Sequence, residues 1–247
     1  VFQHQAHEQV QSLPCLAQRF DELEHGTTRL WRVLRAHGSH AQGLQALGLP
    51  MHGVVGILAN TRLEWLLADL AIQSAGGVAN GIYPTDSPTQ VQYLCADSAT
   101  ELLFVEDDEQ LDKVLEVRAS LPKLRHIVVM DMRGLEQFHD RMVMSLEQLR
   151  ELGRRQGGAL RWPQLVPDDL AILVYTSGTT GKPKGAMHSP GGLVDATRSA
   201  VSNLPQTEED ERIAFLPLCH IAERVIGGYS SVLSGATLNF VESPETF

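Results

Sequence analysis

At 247 residues the chain has room for one large domain or two ordinary ones, and 43% apolar residues can fill a sizeable core. The charge is lopsided, with 30 acidic against 20 basic residues and a net −10. That excludes nucleic acid as the main partner, because neutralising its phosphates needs a basic face.

The first 50 residues are polar and helix-rich. Thr28, Leu30, Trp31, Val33 and Leu34 begin a helical pattern that resumes at Leu44, Leu47 and Leu49, which predicts an amphipathic helix pair. From Val54 the pattern becomes α/β. Val54–Ala59 reads as a buried strand, and Thr61–Ala75 as a helix with Leu63, Leu66, Leu67, Leu70, Ala71 and Ser74 on one face. Gly76-Gly77 ends it, and Val78–Tyr83 is extended. Ser87-Pro88 then starts a helix, with a capping hydroxyl and a proline in the first turn. Leu102–Val105 is a strand, Glu109–Ser120 a helix and Ile127–Met130 another strand.

The stretch from Gly134 to Gln164 reads as a helix followed by a linker. It sets a soft boundary near 153–168 between a first α/β unit (54–152) and a second (169–247). The second unit opens with strand Leu170–Val174 and a glycine-rich loop. It continues with a helix from about Pro190 to Ser202, strand Arg212–Leu216, a helix near Ile221–Leu233 and strand Thr237–Val241. Alternation of this kind predicts an α/β fold of parallel sheets flanked by helices. Cys15, Cys95 and Cys219 are odd in number and lack CxxC spacing, so neither a disulfide framework nor a zinc site is indicated. A reducing cytosol suits them. No apolar run approaches a membrane span, and the start lacks the basic-then-apolar order of a signal peptide. Val1 and the abrupt Ser243–Phe247 end read as cuts, predicting a fragment of a longer chain.

The glycine-rich loop carries the chemistry. Tyr175-Thr176-Ser177-Gly178-Thr179-Thr180-Gly181-Lys182-Pro183-Lys184-Gly185 holds three glycines, four hydroxyls and two lysines. Glycine lets backbone N–H groups close on phosphate oxygens, hydroxyls donate or ligate a metal, and lysine supplies positive charge. The spacing is not that of a Walker A loop, because five residues on from Gly178 stands Pro183 and Lys182 is followed by proline. The loop resembles the signature of the adenylate-forming enzymes, the superfamily of AMP-forming acyl-CoA synthetases, luciferases and peptide-synthetase adenylation domains. Three further stretches resemble the long-chain fatty acid:CoA ligases of that superfamily, most of all the bacterial ones: Gly56–Trp65, Gly81–Val91, and Phe215-Leu216-Pro217-Leu218-Cys219-His220-Ile221-Ala222-Glu223-Arg224.

The resemblance implies an incomplete N-terminal adenylation domain spanning 1–247. It also implies a two-step reaction, in which a carboxylate attacks Mg-ATP to give acyl-AMP and pyrophosphate and CoA then displaces AMP. ATP, Mg2+, CoA and a long-chain fatty acid are the implied ligands. The loop residues Tyr175–Gly185 would gather the phosphates, Thr176 would contact Mg2+ with Thr179 as fallback, and Lys184 would screen charge. Lys182 either shares that task or is a solvated loop lysine. The implied place of His220 is between the acyl pocket and the adenylate. Glu223-Arg224 reads as an ordinary helix pair, while Gly227, Gly228 and Tyr229 either line an acyl channel or make a tight helix contact. After the loop, Ser189-Pro190-Gly191-Gly192-Leu193 departs from the family pattern. The family's Tyr-Gly-x-Thr-Glu segment, ribose-binding Asp, hinge and small C-terminal domain have no counterpart in the 247 residues, so the expectation is a fragment that does not turn over alone. An aryl or medium-chain synthetase, a carrier-loading adenylation domain and a truncated non-catalytic binding module are the alternatives. The expected setting is cytoplasmic, with peripheral membrane contact open, no integral membrane segment and the oligomeric state undetermined.

Overall fold

A computed structural model describes residues 38–157, 159–177 and 181–241. The expected helix at Thr28–Leu34, Cys15, the loop residues Gly178, Thr179 and Thr180, and the chain end at 242–247 lie outside that range.

Among the described residues, seven strands build one sheet in the order β5-β4-β3-β1-β2-β6-β7. In chain order they are β1 (Val54–Leu58), β2 (Val78–Ile82), β3 (Leu102–Val105), β4 (His126–Val129), β5 (Val143–Ser145), β6 (Ile172–Thr176) and β7 (Lys184–His188). All neighbours run parallel except β6 and β7, which form an antiparallel hairpin. A second, two-stranded parallel sheet joins β8 (Glu211–Ala214) and β9 (Thr237–Phe240). The helices are α1 (Leu63–Ser74), α2 (Pro88–Asp97), α3 (Asp108–Val117), α4 (Leu146–Gln156), α5 (Pro190–Asn203) and α6 (Ser230–Ser234). Residues 38–46 are also helical, and their buried Ala41 and Leu44 join Leu146 and Leu149 of α4 in one core.

Period-two alternation divides the strand side chains between two cores. Val55, Ile57, Leu102 and Phe104 face a core closed by α1, α4 and α5. Leu58, Leu103, Val105 and Ile127 face one closed by α2 and α3. Strands buried on both faces need unbroken apolar runs, and these segments have them. The chain steps one way from β1 to β2 through α1, and the opposite way from β2 to β3 through α2. Right-handed crossovers put those helices on opposite faces, so the winding reverses at β2. Open sheets of this kind take ligands in the crevice beyond the carboxyl ends at such a reversal.

Several expectations shift. Two strands carry no strand pattern in the sequence. β5 is three half-buried residues, and β7 reads Lys-Gly-Ala-Met-His; pairing with β4 and β6 extends them. Strand β6 begins two residues later than Leu170 and runs on to Thr176, while β8 stops at Ala214 because the exposed Phe215 and Leu216 turn away toward Pro217. The helix near Ile221–Leu233 is mostly a π-helix, Glu223–Tyr229, followed by the short α6. Helix α1 is buried around its circumference from Trp65 to Ser74, and Leu63 is exposed. The sheet continues across 153–168, since β6 pairs with β2 through Asn80 and Leu173.

Candidate active site

A cleft of about 730 Å³ opens at the carboxyl ends of β2 and β6. Gly81 lies near the end of β2, and Tyr175 and Thr176 end β6. Ser177, Lys182 and Pro183 come from the connection between β6 and β7. Helix α2 contributes Thr89, Gln90 and Tyr93, and His220 with Ile221 closes the far side. Lys182 and His220, separated by 38 positions in the sequence, thus border one space.

The eleven-residue signature is therefore the tip of a hairpin rather than a loop throughout. Thr176 is opposite Lys184, and Tyr175 opposite Gly185, in the β6–β7 ladder. Lys184 is exposed on β7 and is not among the residues lining the cleft, whereas Lys182 is. The Tyr175 hydroxyl donates to Asp97 Oδ2 at 2.7 Å. Burial, reinforced by that carboxylate, pushes the phenol well above its ordinary range, so it stays a donor.

His220 and the segment before it are held by four hydrogen bonds to backbone groups. The Thr61 hydroxyl donates to the Leu216 carbonyl at 2.8 Å and accepts from the Leu218 N–H at 3.1 Å, tying the segment after β8 to the end of β1. The His220 N–H donates to the Pro217 carbonyl at 3.0 Å. Its ring Nδ1 accepts from the Ala222 N–H at 3.2 Å. In the neutral ring that leaves the proton on Nε2, a donor on the side away from its own backbone. Beneath this segment, burial pushes the Cys219 thiol up to about 12 and leaves it un-ionised. Burial also raises the Asp86 carboxyl and the Tyr83 phenol nearby.

Gly81 makes the close approach possible. A Cβ there would sit 2.8 Å from Cys219 Cβ, 2.9 Å from Cys219 Cα and 3.1 Å from the Trp65 ring. Gly81→Ala is expected to displace the segment carrying His220 and to destabilise the chain by about 1–3 kcal/mol, the usual range for overpacking. Chemical denaturation measures the loss; an unchanged midpoint would show that the segment yields freely.

Behind the cleft, Arg224 is no ordinary surface partner. It is fully buried and pairs with Asp69 of α1, which is also fully buried. Its Nε reaches Asp69 Oδ2 and the Tyr229 hydroxyl, each at 3.1 Å. Tyr229 donates to Asp69 Oδ2 at 2.7 Å, and Gln73 Nε2 donates to both Asp69 Oδ1 (3.1 Å) and the Tyr229 oxygen (2.9 Å). The guanidinium also lies 5.1 Å from the centre of the Trp65 ring. Burial works against the charge on Arg224, yet Asp69 outweighs it and holds the group further into its protonated range. The π-helix accounts for the geometry. Residues five apart are about 140° apart around an α-helix, whereas i→i+5 bonding brings Arg224 and Tyr229 onto one side. Tyr229 is thus a buried network member, not a channel wall, and Gly228 lets Leu66 of α1 approach to 3.2 Å from where its Cβ would be.

The sequence matches the family of AMP-binding enzymes over residues 26–247. It is 31% identical over 232 residues to the long-chain-fatty-acid–CoA ligase ACSBG1 of Homo sapiens, an alignment covering 91% of this chain and 31% of that protein. To the long-chain-fatty-acid–CoA ligase FadD15 of Mycobacterium bovis it is 36% identical over 191 residues, covering 75% and 30%. The crystal structure of the anthranilate CoA ligase AuaEII with anthranoyl-AMP superposes with a TM-score of 0.74 at 27% identity, covering 84% of this chain and 39% of that one. The fold and the match together define an adenylate-forming α/β domain. The chain belongs to the AMP-binding enzyme family, and it spans about a third of the length of the curated relatives it matches.

Thr61, Asp69, Tyr93 and Asp97 were not singled out by the sequence. Thr61 stood inside a family-like stretch. Asp69 could have been noticed as an acid set among the apolar Leu66, Leu67, Ala68, Leu70, Ala71 and Ile72. Nothing in the sequence marks Tyr93 or Asp97.

Proposed function

We propose that this chain forms the phosphate-holding and carboxylate-facing walls of an AMP-forming long-chain fatty acid:CoA ligase. Such an enzyme activates a fatty acid with Mg-ATP to acyl-AMP and pyrophosphate, then passes the acyl group to CoA. The observation that carries the reading is the shared cleft, in which Thr176, Ser177 and Lys182 face the same space as His220. An anion must attack a polyanion here, so the barrier is electrostatic and falls when charge is neutralised and the line of attack is fixed.

In this reading the hydroxyls of Thr176 and Ser177 and the ammonium of Lys182 gather the β- and γ-phosphates. Lys184, two residues on at the start of β7, screens charge as pyrophosphate departs. His220 Nε2–H donates toward the oxygen atoms joined at the α-phosphate. Mg2+ fits this setting as a companion of the nucleotide. Among the described residues no cluster of three carboxylate, His or Cys side chains could hold a metal unaided. Mg2+ bound to phosphates and waters needs only one or two protein oxygens, however, and the Thr176 hydroxyl can be one. Magnesium would supply positive charge between the phosphates. CoA is the acceptor thiol, and a cytoplasmic setting with peripheral membrane contact belongs to the same reading. Among the described residues no helix is long and apolar enough to cross a membrane.

The likeness to an anthranilate ligase keeps an aryl substrate as the second reading. Pyrophosphate exchange on the full-length protein separates the two. Saturable exchange with palmitate supports the proposal, and a response confined to benzoates or amino acids sinks it.

A further inference from the structure

Both arms of the phosphate hairpin rest on one face of α2. On the outgoing arm, the Tyr175 hydroxyl donates to Asp97 Oδ2 at 2.7 Å. Gly185, opposite Tyr175 in the ladder, leaves that ring its place, since a Cβ there would come within 3.2 Å of it. On the returning arm, the Tyr93 hydroxyl donates to the Pro183 carbonyl at 2.9 Å, and Lys182 Nζ lies 5.0 Å from the centre of the Tyr93 ring. Tyr93 and Asp97 are four apart, so a single helical face meets the hairpin on both sides of its tip. That helix is itself fixed at its start by a reciprocal cap between Ser87 and Gln90.

We propose that Tyr93, with Asp97 one turn further on, is a positioning residue for the phosphate hairpin. Its hydroxyl clamps Pro183, and its ring parks the Lys182 ammonium at the mouth of the cleft. The inference rests on the phosphate reading of the hairpin. A ring face holds an ammonium loosely and without a counter-anion. Lys182 can therefore exchange the ring for a polyphosphate, whereas a lysine locked to a carboxylate would first have to break an ion pair. An unclamped hairpin populates the binding geometry for only a fraction of the time, and apparent affinity falls by that fraction.

The test uses the full-length protein and its variants. Tyr93→Leu removes both contacts, and is expected to raise KM for ATP about tenfold, as one hydrogen bond and one cation–ring contact allow. kcat and KM for palmitate should stay within about twofold. Tyr93→Phe keeps the ring but not the hydroxyl and should recover about half of the loss on a logarithmic scale, leaving KM for ATP about threefold raised. Lys182→Ala, alone and combined with Tyr93→Leu, should be non-additive, since each change removes the same contact. A merely structural Tyr93 would instead lower the melting temperature and disturb palmitate and ATP alike. That outcome, an unchanged KM for ATP in Tyr93→Leu, or strict additivity with Lys182→Ala overturns the proposal. Thr176→Ala serves as the reference. If it and Lys184→Ala both leave exchange intact, the phosphate reading itself fails; if it abolishes exchange while Tyr93→Leu does nothing, only the positioning role falls.

Discussion

Arg224→Ala is expected to destabilise the folded chain by about 3–5 kcal/mol, the range for stripping one partner from a buried ion pair. Asp69 would be left charged and fully buried, with only Tyr229 and Gln73 to face it. The damage should spread toward the cleft, because the Arg224 N–H donates to the His220 carbonyl at 3.1 Å and the π-helix begins at Glu223. The Asp69→Leu/Arg224→Met double variant should recover much of the loss, since an apolar pair of similar volume avoids the desolvation of two ions. Urea unfolding of the single and double variants measures both effects. A single variant within about 1 kcal/mol of the parent would mean that the pair contributes no more than an exposed one.

The second large effect concerns chemistry. In the full-length protein, Thr176→Ala and Lys184→Ala should each lower ATP–pyrophosphate exchange on the order of a hundredfold, the scale seen when one preorganised electrostatic contact is lost. Fatty acid binding should change little, because neither residue is on the His220 side of the cleft. The two variants also probe different positions. Thr176 lines the cleft, while Lys184 is opposite it on the exposed β7. Loss of exchange in Thr176→Ala with none in Lys184→Ala would move the charge-screening role to Lys182. Exchange untouched in both would remove the phosphate assignment.

Much of the architecture was legible because its strands are buried on both faces. Val54–Leu58 and Leu102–Val105 are short apolar runs, the pattern of strands buried on both faces. Ser87 and Pro88 announced α2 through local capping chemistry, which needs no tertiary partner. Strands β5 and β7 escaped notice because their extension comes from the neighbour's unpaired backbone groups, not from their own side chains. The π-helix escaped for a related reason. Gly227-Gly228 weakens an α-helix locally without specifying a π-helix, and it is Asp69 on another element that binds both Arg224 and Tyr229 on one side.

The sequence by itself determined the alternation of strands and helices, the concentration of glycines, hydroxyls and lysines in Tyr175–Gly185 on which the phosphate proposal rests, and the family likeness around His220. These are properties of composition and spacing within a dozen residues, where hydroxyls, glycines and lysines carry their chemistry wherever they lie. Only the tertiary structure decided which of them meet. It made the signature a hairpin tip and set Lys182 rather than Lys184 beside the cleft. It also brought Tyr93 and Asp97 beneath the hairpin and buried Arg224 against Asp69. Those pairings join residues from about 80 to 155 positions apart. No local pattern encodes such contacts, because they follow from how the winding reversal at β2 stacks α1 and α2 on opposite faces of the sheet.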